Sequence, residues 1–318
     1  MKLDPQSEAI LNAINQSGML PFAGKDPAVI RAQNAEATNA FPVAKPEVFE
    51  VRDRVIPNDE VEVPIRVYWP GPVSQDKTYP AILFFHGGGF FMGDLESHDN
   101  VCRELCKRVE AIVVAVDYRL APEHPFPAAV DDSYAALTWL AKNGGDLGVD
   151  TDRIAVVGDS AGGNLVAVIC LLARDRKGPN IAFQIPVYPG VALDDAKSYP
   201  SRTALGGGDY FLAERDIEWM VDMYLPDDVD PNDYRAFPIR AKSFEGLPPA
   251  LVITAGLDPL VDEGRAYSEA LERAGVPTEY RCFPTTIHGF FSMVGLIDAA
   301  EEAMALAADR LRGALKVG

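Results

Sequence analysis

The 318-residue sequence is poor in several features that define large classes of protein. Four cysteines are too few for a disulfide framework in a chain of this length. The sequence has no apolar run of about 18 residues, so we predict no membrane span. Its start, Met1-Lys2-Leu3-Asp4-Pro5, lacks the basic region and apolar core of a signal peptide. We therefore expect a cytoplasmic protein.

Positive charge is also scarce. The sequence has 29 Lys and Arg against 47 Asp and Glu, which gives a formal net charge of −18. Nucleic-acid binding needs a basic face that neutralises phosphates, so we predict no nucleic-acid partner. The acidity favours solubility and does not indicate the charge of a substrate.

Histidine is rare, and one of the four histidines lies in a pattern that resembles a metal site. His98, Cys102 and Cys106 recur every four residues on a predicted helix. Such spacing can present metal ligands on one face. Cysteine is more often a small buried apolar residue, and neighbouring apolar residues extend the same stripe. We therefore favour core packing and predict no metal ion or other cofactor.

Short apolar runs alternate with longer amphipathic segments from residue 81 onward. Such runs are typical of parallel strands buried on both faces, and the amphipathic segments suit crossover helices. An antiparallel pair precedes them. The predicted strands are residues 47–54, 61–68, 81–85, 111–116, 154–157, 181–187, 250–254 and 280–283. The sequence thus predicts an α/β fold with a mostly parallel eight-stranded sheet flanked by helices.

Two segments lie outside this alternation. Residues 191–241 are acidic and rich in loops, and we predict that they are inserted as a helical cap over the active site. Residues 1–45 precede the sheet and are expected to form the N-terminal part of the same cap. The two parts of the core domain are then residues 46–190 and 242–318.

A serine between a predicted strand and a predicted helix indicates a nucleophile. Gly158-Asp159-Ser160-Ala161-Gly162 fits the G-x-S-x-G elbow of α/β-hydrolases. A dinucleotide-binding loop would need glycine at the serine position, and a P-loop would need Lys before a Ser or Thr. A plain glycine-rich turn is the remaining alternative for this segment alone.

A serine nucleophile needs a base and a group that orients the base. In this fold the chain order is serine, acid, histidine, and His288 is the only histidine after Ser160. Asp258 lies in the loop after a predicted strand and is our candidate acid. Asp262 is the runner-up, although it and Glu263 fall in a first helical turn where carboxylates often serve as caps.

A glycine-rich loop after the predicted strand 81–85 can stabilise an oxyanion. His86-Gly87-Gly88-Gly89-Phe90 is expected to turn backbone N–H groups toward the substrate. The N–H of Ala161, next after the candidate nucleophile, would add a further donor.

These segments together resemble the hormone-sensitive-lipase-like esterases, chiefly the bacterial branch. The matching motifs are His86-Gly87-Gly88-Gly89, Asp117-Tyr118-Arg119-Leu120-Ala121-Pro122-Glu123, Pro127-Ala128-Ala129, Gly158-Asp159-Ser160-Ala161-Gly162-Gly163, Asp258-Pro259-Leu260 and His288-Gly289-Phe290. They cover the chain from about residue 80 to its end.

The resemblance implies a carboxylesterase with an α/β-hydrolase core, a helical cap and the triad Ser160, Asp258 and His288. It implies an oxyanion hole formed by the N–H groups of Gly88, Gly89 and Ala161. The resemblance further implies supporting roles: His86 braces the loop beginning at Gly87, Glu123 anchors backbone near the site, and Asp159 marks the branch that has Asp before the serine. Members of the family often dimerise through the sheet edge, so a homodimer is a further expectation.

We expect the substrate to be a small, uncharged, apolar ester with a short or medium acyl chain. The candidate pocket residues are aromatic or aliphatic: Phe90, Phe91, Tyr188, Leu205, Phe211 and Phe290. An amidase or deacetylase with the same triad is one alternative. A small-molecule receptor on the same fold, which binds without catalysis, is another.

Overall fold

A computed structural model describes residues 2–40, 45–58, 61–74 and 77–317. Within these residues the strands form one eight-stranded sheet with the order β1-β2-β4-β3-β5-β6-β7-β8. The strands are β1 (Glu50–Asn58), β2 (Val61–Trp69), β3 (Tyr79–Phe85), β4 (Ile112–Val116), β5 (Val149–Asp159), β6 (Phe183–Val187), β7 (Ala250–Leu257) and β8 (Thr278–Ile287). Among the described strands, β2 alone runs opposite to the other seven, which are parallel to one another. The predicted mostly parallel eight-stranded sheet is therefore confirmed.

The described helices cover both faces of the sheet and its carboxyl edge. They are α1 (Pro5–Ser17), α2 (Pro27–Ala40), α3 (Asp99–Val109), α4 (Ala128–Asn143), α5 (Ala161–Asp175), α6 (Pro200–Leu205), α7 (Glu214–Tyr224), α8 (Val261–Arg273) and α9 (Asp298–Ala314). None of the helices within the described ranges is long and apolar enough to cross a bilayer.

Two apolar cores lie on opposite faces of the sheet. In β3, Leu83 packs in the same cluster as Leu165 of α5, while the adjacent Ile82 packs with Leu105 of α3 and Met304 of α9. Successive side chains of a strand point to opposite faces, so a strand covered on both sides needs an unbroken apolar run. This packing explains why the continuous apolar runs correctly predicted central strands.

β5 begins five residues earlier than predicted. β5 starts at Val149, whereas the apolar run that predicts it covers only residues 154–157. Its first part contains Asp150 and Arg153, which form an ion pair at 2.7 Å on the partly exposed end of the sheet. Because these residues are polar, the first half of the strand contains no apolar run and was not predicted from the sequence.

The N-terminal helices and the inserted segment pack against each other above the carboxyl edge of the sheet. Phe22 and Ile30 share an apolar cluster with Leu212 and Met220, and the N–H of Ala23 donates to Asp216 Oδ1 at 2.8 Å. We call α1, α2, α6 and α7 the helical layer. The predicted boundary at residue 45 adjoins residues 41–44, which lie outside the described residues, and the division into cap and core stays a prediction.

A buried ion network joins the helical layer to the sheet domain. Arg202 of α6 is 1% exposed and contacts Glu263 of α8 at 2.9 Å and Glu214 of α7 at 2.6 Å. Glu263 also accepts from the N–H of Ala192 at 2.6 Å. Because Glu263 is fully buried, its charge depends on these donors for compensation.

Replacing Arg202 should therefore destabilise the protein strongly. We expect Arg202→Met to lower the free energy of unfolding by about 3 kcal/mol, because it leaves a buried carboxylate unpaired. Urea denaturation measures the loss. The exposed Arg215 of α7 provides the control, and Arg215→Met should change stability by less than about 0.5 kcal/mol. Equal effects of the two substitutions would contradict a stabilising role for the network.

Candidate active site

Ser160 lies at a sharp turn between β5 and α5. Its backbone has φ 55° and ψ −115°, a strained conformation for a residue with a side chain. The turn also brings backbone segments very close together: a Cβ on Gly162 would lie 1.9 Å from the carbonyl oxygen of Phe85, and one on Gly158 would lie 2.5 Å from that of Gly162. Both glycines are required for this geometry, which presents the serine at the carboxyl end of β5.

Three side chains from separate loops form one hydrogen-bonded chain. Ser160 Oγ lies 2.8 Å from His288 Nε2, and His288 Nδ1 lies 2.7 Å from Asp258 Oδ2. Ser160 follows β5, Asp258 follows β7 and His288 follows β8, and the carboxyl ends of these strands lie at the same edge of the sheet. A carboxylate only accepts hydrogen bonds, so Nδ1 carries a proton and Nε2 is left to accept from the serine hydroxyl.

The structure distinguishes between the two candidate acids. Asp258 is fully buried, and its second oxygen accepts from the N–H of Leu260 at 2.9 Å. Asp262, the runner-up, instead accepts from the N–H of Ser201 at 2.8 Å. Asp258 is therefore the acid that contacts His288, whereas Asp262 tethers α6.

The glycine-rich loop after β3 borders the serine. Gly88 and Gly89 have φ values of 123° and 59°, and a Cβ on Gly88 would lie 2.1 Å from the carbonyl oxygen of Met92. Within the described chain, the N–H groups of Gly88, Gly89 and Ala161 donate to no other group. Unpaired N–H groups beside a candidate nucleophile can receive a developing negative charge.

Buried residues fix the start of this loop. His86 Nδ1 lies 2.8 Å from the carbonyl oxygen of Gly87, and the imidazole stacks on Tyr118 with a centroid distance of 4.2 Å. The Tyr118 hydroxyl donates to the carbonyl oxygen of His86 at 2.7 Å. Asp159 Oδ1 accepts from the N–H of Gly87 at 2.9 Å, so the residue before Ser160 holds the loop on the opposite side.

The expectation for Glu123 needs correction. Its side chain is 55% exposed and binds the Arg31 guanidinium of α2 at 2.7 Å. Arg31 itself donates to the carbonyl oxygens of Phe91 at 2.6 Å and Ala121 at 2.7 Å. The group that anchors neighbouring backbone is therefore Arg31, and Glu123 orients it. Sequence analysis missed Arg31 because 60 and 90 residues separate it from the backbone oxygens of Phe91 and Ala121 that it binds.

A cavity of about 660 Å³ opens above Ser160 and His288. Its walls are mainly apolar and include Ile10 and Ile14 of α1 and Met220 of α7. The sequence analysis predicted residues 1–45 as part of the cap but did not identify Ile10 and Ile14 as wall residues, because the apolar residues of α1 could equally have faced the core. The size and composition suit a small organic ligand.

Two of the six predicted pocket residues line this cavity, namely Phe90 and Phe211. The other four were wrongly placed, because they pack behind the wall. Phe91 is fully buried with its ring 5.2 Å from Trp219. The ring of Tyr188 packs behind the His288 ring with a centroid distance of 4.7 Å, and the ring of Phe290 packs on Tyr188. Leu205 lies in a separate apolar cluster beside Leu257.

The cysteines of the possible metal pattern pack in the core. Cys102 and Cys106 are buried in the cluster under α3. His98 lies near the cavity, where its Nε2 is 3.3 Å from Asp159 Oδ1. Among the residues that the structure describes, no three metal-ligating side chains converge on one point.

This arrangement is that of an α/β-hydrolase: a serine follows β5, an acid follows β7, a histidine follows β8, and a glycine loop after β3 lies beside them. Residues 82–292 match the family described as alpha/beta hydrolase fold. The carboxylic ester hydrolase LipN of Mycobacterium tuberculosis is 41% identical over 301 residues, which cover 92% of this chain and 78% of LipN. Carboxylesterase NlhH of the same species is 39% identical over 317 residues, with coverage of 98% and 97%.

A solved structure agrees with these relatives. The hyperthermophilic esterase of the archaeon Pyrobaculum calidifontis matches with a TM-score of 0.92 at 38% identity, over 98% of this chain and 99% of that one. The chain therefore belongs to the α/β-hydrolase family, and its predicted membership of the hormone-sensitive-lipase-like branch is confirmed. The predicted enzyme class, carboxylic ester hydrolase, is the class named for these relatives.

His86 should make stability depend on pH. Burial, followed by the neighbouring His98, lowers the pKa of His86 from 6.5 to about 4. Between pH 6.5 and 4, His86 therefore binds a proton in the unfolded chain but stays neutral in the folded protein. The stability that neutral His86 contributes is fully present above pH 6.5 and decreases as the pH falls toward 4. Between pH 6.5 and 5 this loss amounts to about 2 kcal/mol.

Urea denaturation at several pH values tests this contribution. His86→Gln removes the titrating group, so its free energy of unfolding should fall by about 2 kcal/mol less than that of the wild type between pH 6.5 and 5. Identical pH dependence in the two proteins would contradict the coupling between burial of His86 and its protonation.

Proposed function

We propose that this protein is a serine carboxylesterase that hydrolyses neutral esters through an acyl-enzyme intermediate. The observation that carries the proposal is the hydrogen-bonded chain Ser160–His288–Asp258 at the base of an apolar cavity, beside unpaired N–H groups. The names of LipN and NlhH support ester hydrolysis as the reaction class.

The first half of the reaction acylates the serine. Ser160 Oγ attacks the ester carbonyl carbon while His288 Nε2 accepts the hydroxyl proton. The carbonyl oxygen becomes an oxyanion, and we assign its stabilisation to the N–H groups of Gly88, Gly89 and Ala161. When the intermediate collapses, the protonated His288 donates to the departing alkoxide, and the alcohol leaves. Asp258 holds the imidazole and stabilises its charged form throughout.

The second half repeats these steps with water. A water molecule entering the cavity transfers a proton to His288 Nε2 and attacks the acyl carbon. The oxyanion forms at the same N–H groups, and its collapse returns the proton to Ser160 Oγ and releases the carboxylic acid. Each proton and acyl transfer thus has an acceptor within the site, so we propose a reaction without cofactor.

The fold itself contributes to oxyanion stabilisation. Ser160 is the N-cap of α5, a 15-residue helix whose first N–H groups have no helical acceptor. The helix therefore presents partial positive charge where the negative charge of the intermediate forms. Since the geometry exists before substrate binds, the donors need little reorganisation during the reaction.

We propose that the helical layer acts as the cap over this site. Residues of α1, α2 and α7 line the cavity, together with Phe90 and Phe211. No Lys or Arg is among the described residues that line it. This lining favours uncharged substrates, and the enclosure by helices favours short and medium acyl chains over emulsified fat.

Substitutions of the nucleophile and of the acid test the proposal. Ser160→Ala should lower kcat on a short-chain aryl ester by at least about 10³-fold, since the attacking oxygen is lost. Asp258→Asn should lower kcat by up to about 10⁴-fold, because it favours the wrong histidine tautomer. The matched control is Asp262→Asn, which changes a neighbouring carboxylate that contacts Ser201 instead.

We expect Asp262→Asn to retain most of the activity. Substantial turnover by Ser160→Ala, or equal losses for the two Asn variants, would contradict the assignment. A wild-type protein that binds aryl esters without turnover would favour the receptor alternative.

Acyl-chain preference tests the shape of the cavity. We measure kcat/KM on aryl esters with two to sixteen acyl carbons, and expect a maximum at short or medium length followed by a decline, because long chains exceed the enclosed space. Acyl anilides of matched length should react much more slowly. Increasing rates up to the longest ester would contradict the short-chain proposal, and faster anilides would favour an amidase.

A further inference from the structure

His98 occupies a position that the reaction steps above leave unexplained. It precedes α3 at the edge of the cavity, and its side chain is 12% exposed. Its Nε2 lies 3.3 Å from Asp159 Oδ1, and its ring packs near the rings of Phe84 and His86, with centroid distances of 5.9 and 5.7 Å. The imidazole is therefore held in a defined orientation against the carboxylate next to the nucleophile.

Asp159 connects the two sides of the proposed oxyanion hole. It immediately precedes Ser160 and Ala161, and its Oδ1 accepts from the N–H of Gly87 at 2.9 Å. Its other oxygen also faces the loop, since a Cβ on Gly87 would lie 2.4 Å from Oδ2. A rotation of this carboxylate would thus remove the acceptor that holds the glycine loop next to the nucleophile elbow.

The carboxylate itself needs compensation. Asp159 is 4% exposed. Burial acts to raise the pKa of Asp159, but the neighbouring His98, followed by His86 and His288, outweighs burial and keeps the pKa below its ordinary value. Among these histidines, His98 is the one whose ring nitrogen contacts an Asp159 oxygen.

Hydrogen-bond roles indicate which nitrogen of His98 carries a proton. Nε2 lies 3.3 Å from Asp159 Oδ1, and because a carboxylate has no proton to donate, this approach is favourable when Nε2 carries a proton. The opposite nitrogen, Nδ1, lies 3.0 Å from Ser97 Oγ. Ser97 Oγ also lies 3.0 Å from the carbonyl oxygen of Asp94, so its single hydroxyl proton can be directed to that oxygen or to Nδ1. When the hydroxyl donates to Nδ1, the proton of the neutral imidazole is on Nε2 and faces Asp159.

We propose that His98 is a positioning residue for the oxyanion hole, which acts through Asp159 by orienting its carboxylate and offsetting its negative charge. The inference rests on the proposed esterase function. An uncompensated carboxylate near the oxyanion would oppose the second negative charge that forms in the transition state. Loss of the His98 donor should therefore raise the barrier for turnover and leave ground-state binding of substrate nearly unchanged.

His98→Met and His98→Gln provide a matched pair for the test. The two side chains have similar length, but only Gln retains a terminal N–H donor. On a short-chain aryl ester, we expect His98→Met to lower kcat roughly tenfold and to leave KM nearly unchanged. This decrease in kcat is smaller than the ~10²-fold or greater decrease caused by removing an oxyanion donor itself. His98→Gln should recover most of that loss. Affinity for a trifluoromethyl ketone, which mimics the tetrahedral intermediate, should fall in parallel with kcat.

A double-mutant cycle tests whether the effect passes through Asp159. On an Asp159→Asn background the carboxylate charge is absent, so His98→Met should cost no more than about twofold in kcat. Circular dichroism verifies folding of each variant, and His98→Leu replaces His98→Met if the latter does not fold.

Three results would overturn the inference: full kcat in His98→Met, no recovery in His98→Gln, or equal costs of His98→Met with and without the Asp159 carboxylate. A wild-type protein that is inactive, or one whose activity survives Ser160→Ala, would instead contradict the proposed function. The two failures are therefore distinguishable.

Discussion

The left-handed turn at Ser160 is the constraint on which the rest of the site depends. A residue with a side chain adopts φ 55° only where surrounding structure enforces it. Here β5, buried on both faces of the sheet, fixes the chain before the turn, and the buried helix α5 fixes it afterwards. Gly158 and Gly162 allow the close approach of backbone that this requires. The cost of the strained turn is offset by the packing of the two elements that it joins.

Functional residues from distant parts of the chain meet at the edge of the sheet where this turn lies. β5, β7 and β8 end at the same edge of the sheet, so Asp258 and His288, which follow Ser160 by 98 and 128 positions, reach the same point. The same turn places Asp159 against Gly87, which couples the serine to the glycine loop after β3. The nucleophile, its base and the candidate oxyanion donors therefore belong to a rigid edge of the sheet, whereas the helical layer shapes the cavity above it.

Much of this arrangement could be predicted from the sequence because its signals are local. Continuous apolar runs located the central strands, and the order Ser160, Asp258, His288 left one histidine as the candidate base. The failures have a common physical cause. Aromatic residues beside the motifs, such as Phe91 and Tyr188, are buried behind the cavity wall, and composition does not reveal which way a side chain points.

Long-range contacts were the other limit of sequence analysis. Arg31 binds backbone oxygens about sixty and ninety residues away, and no local pattern marks it. The spacing of His98 with Cys102 and Cys106 indicates a shared helix face, but its polar contact is with Asp159 at the end of β5. Periodicity identified the helix correctly and gave no information about the partner across the fold.

The proposed reaction depends above all on the activation of Ser160 as a nucleophile by His288 and Asp258. Intact-protein and peptide mass spectrometry after treatment with an alkyl fluorophosphonate tests it most directly, because such a reagent phosphonylates an activated serine far faster than an ordinary one. We expect a single adduct, on the peptide that contains Ser160. An unmodified protein, or an adduct on another serine with Ser160 unmodified, would contradict it.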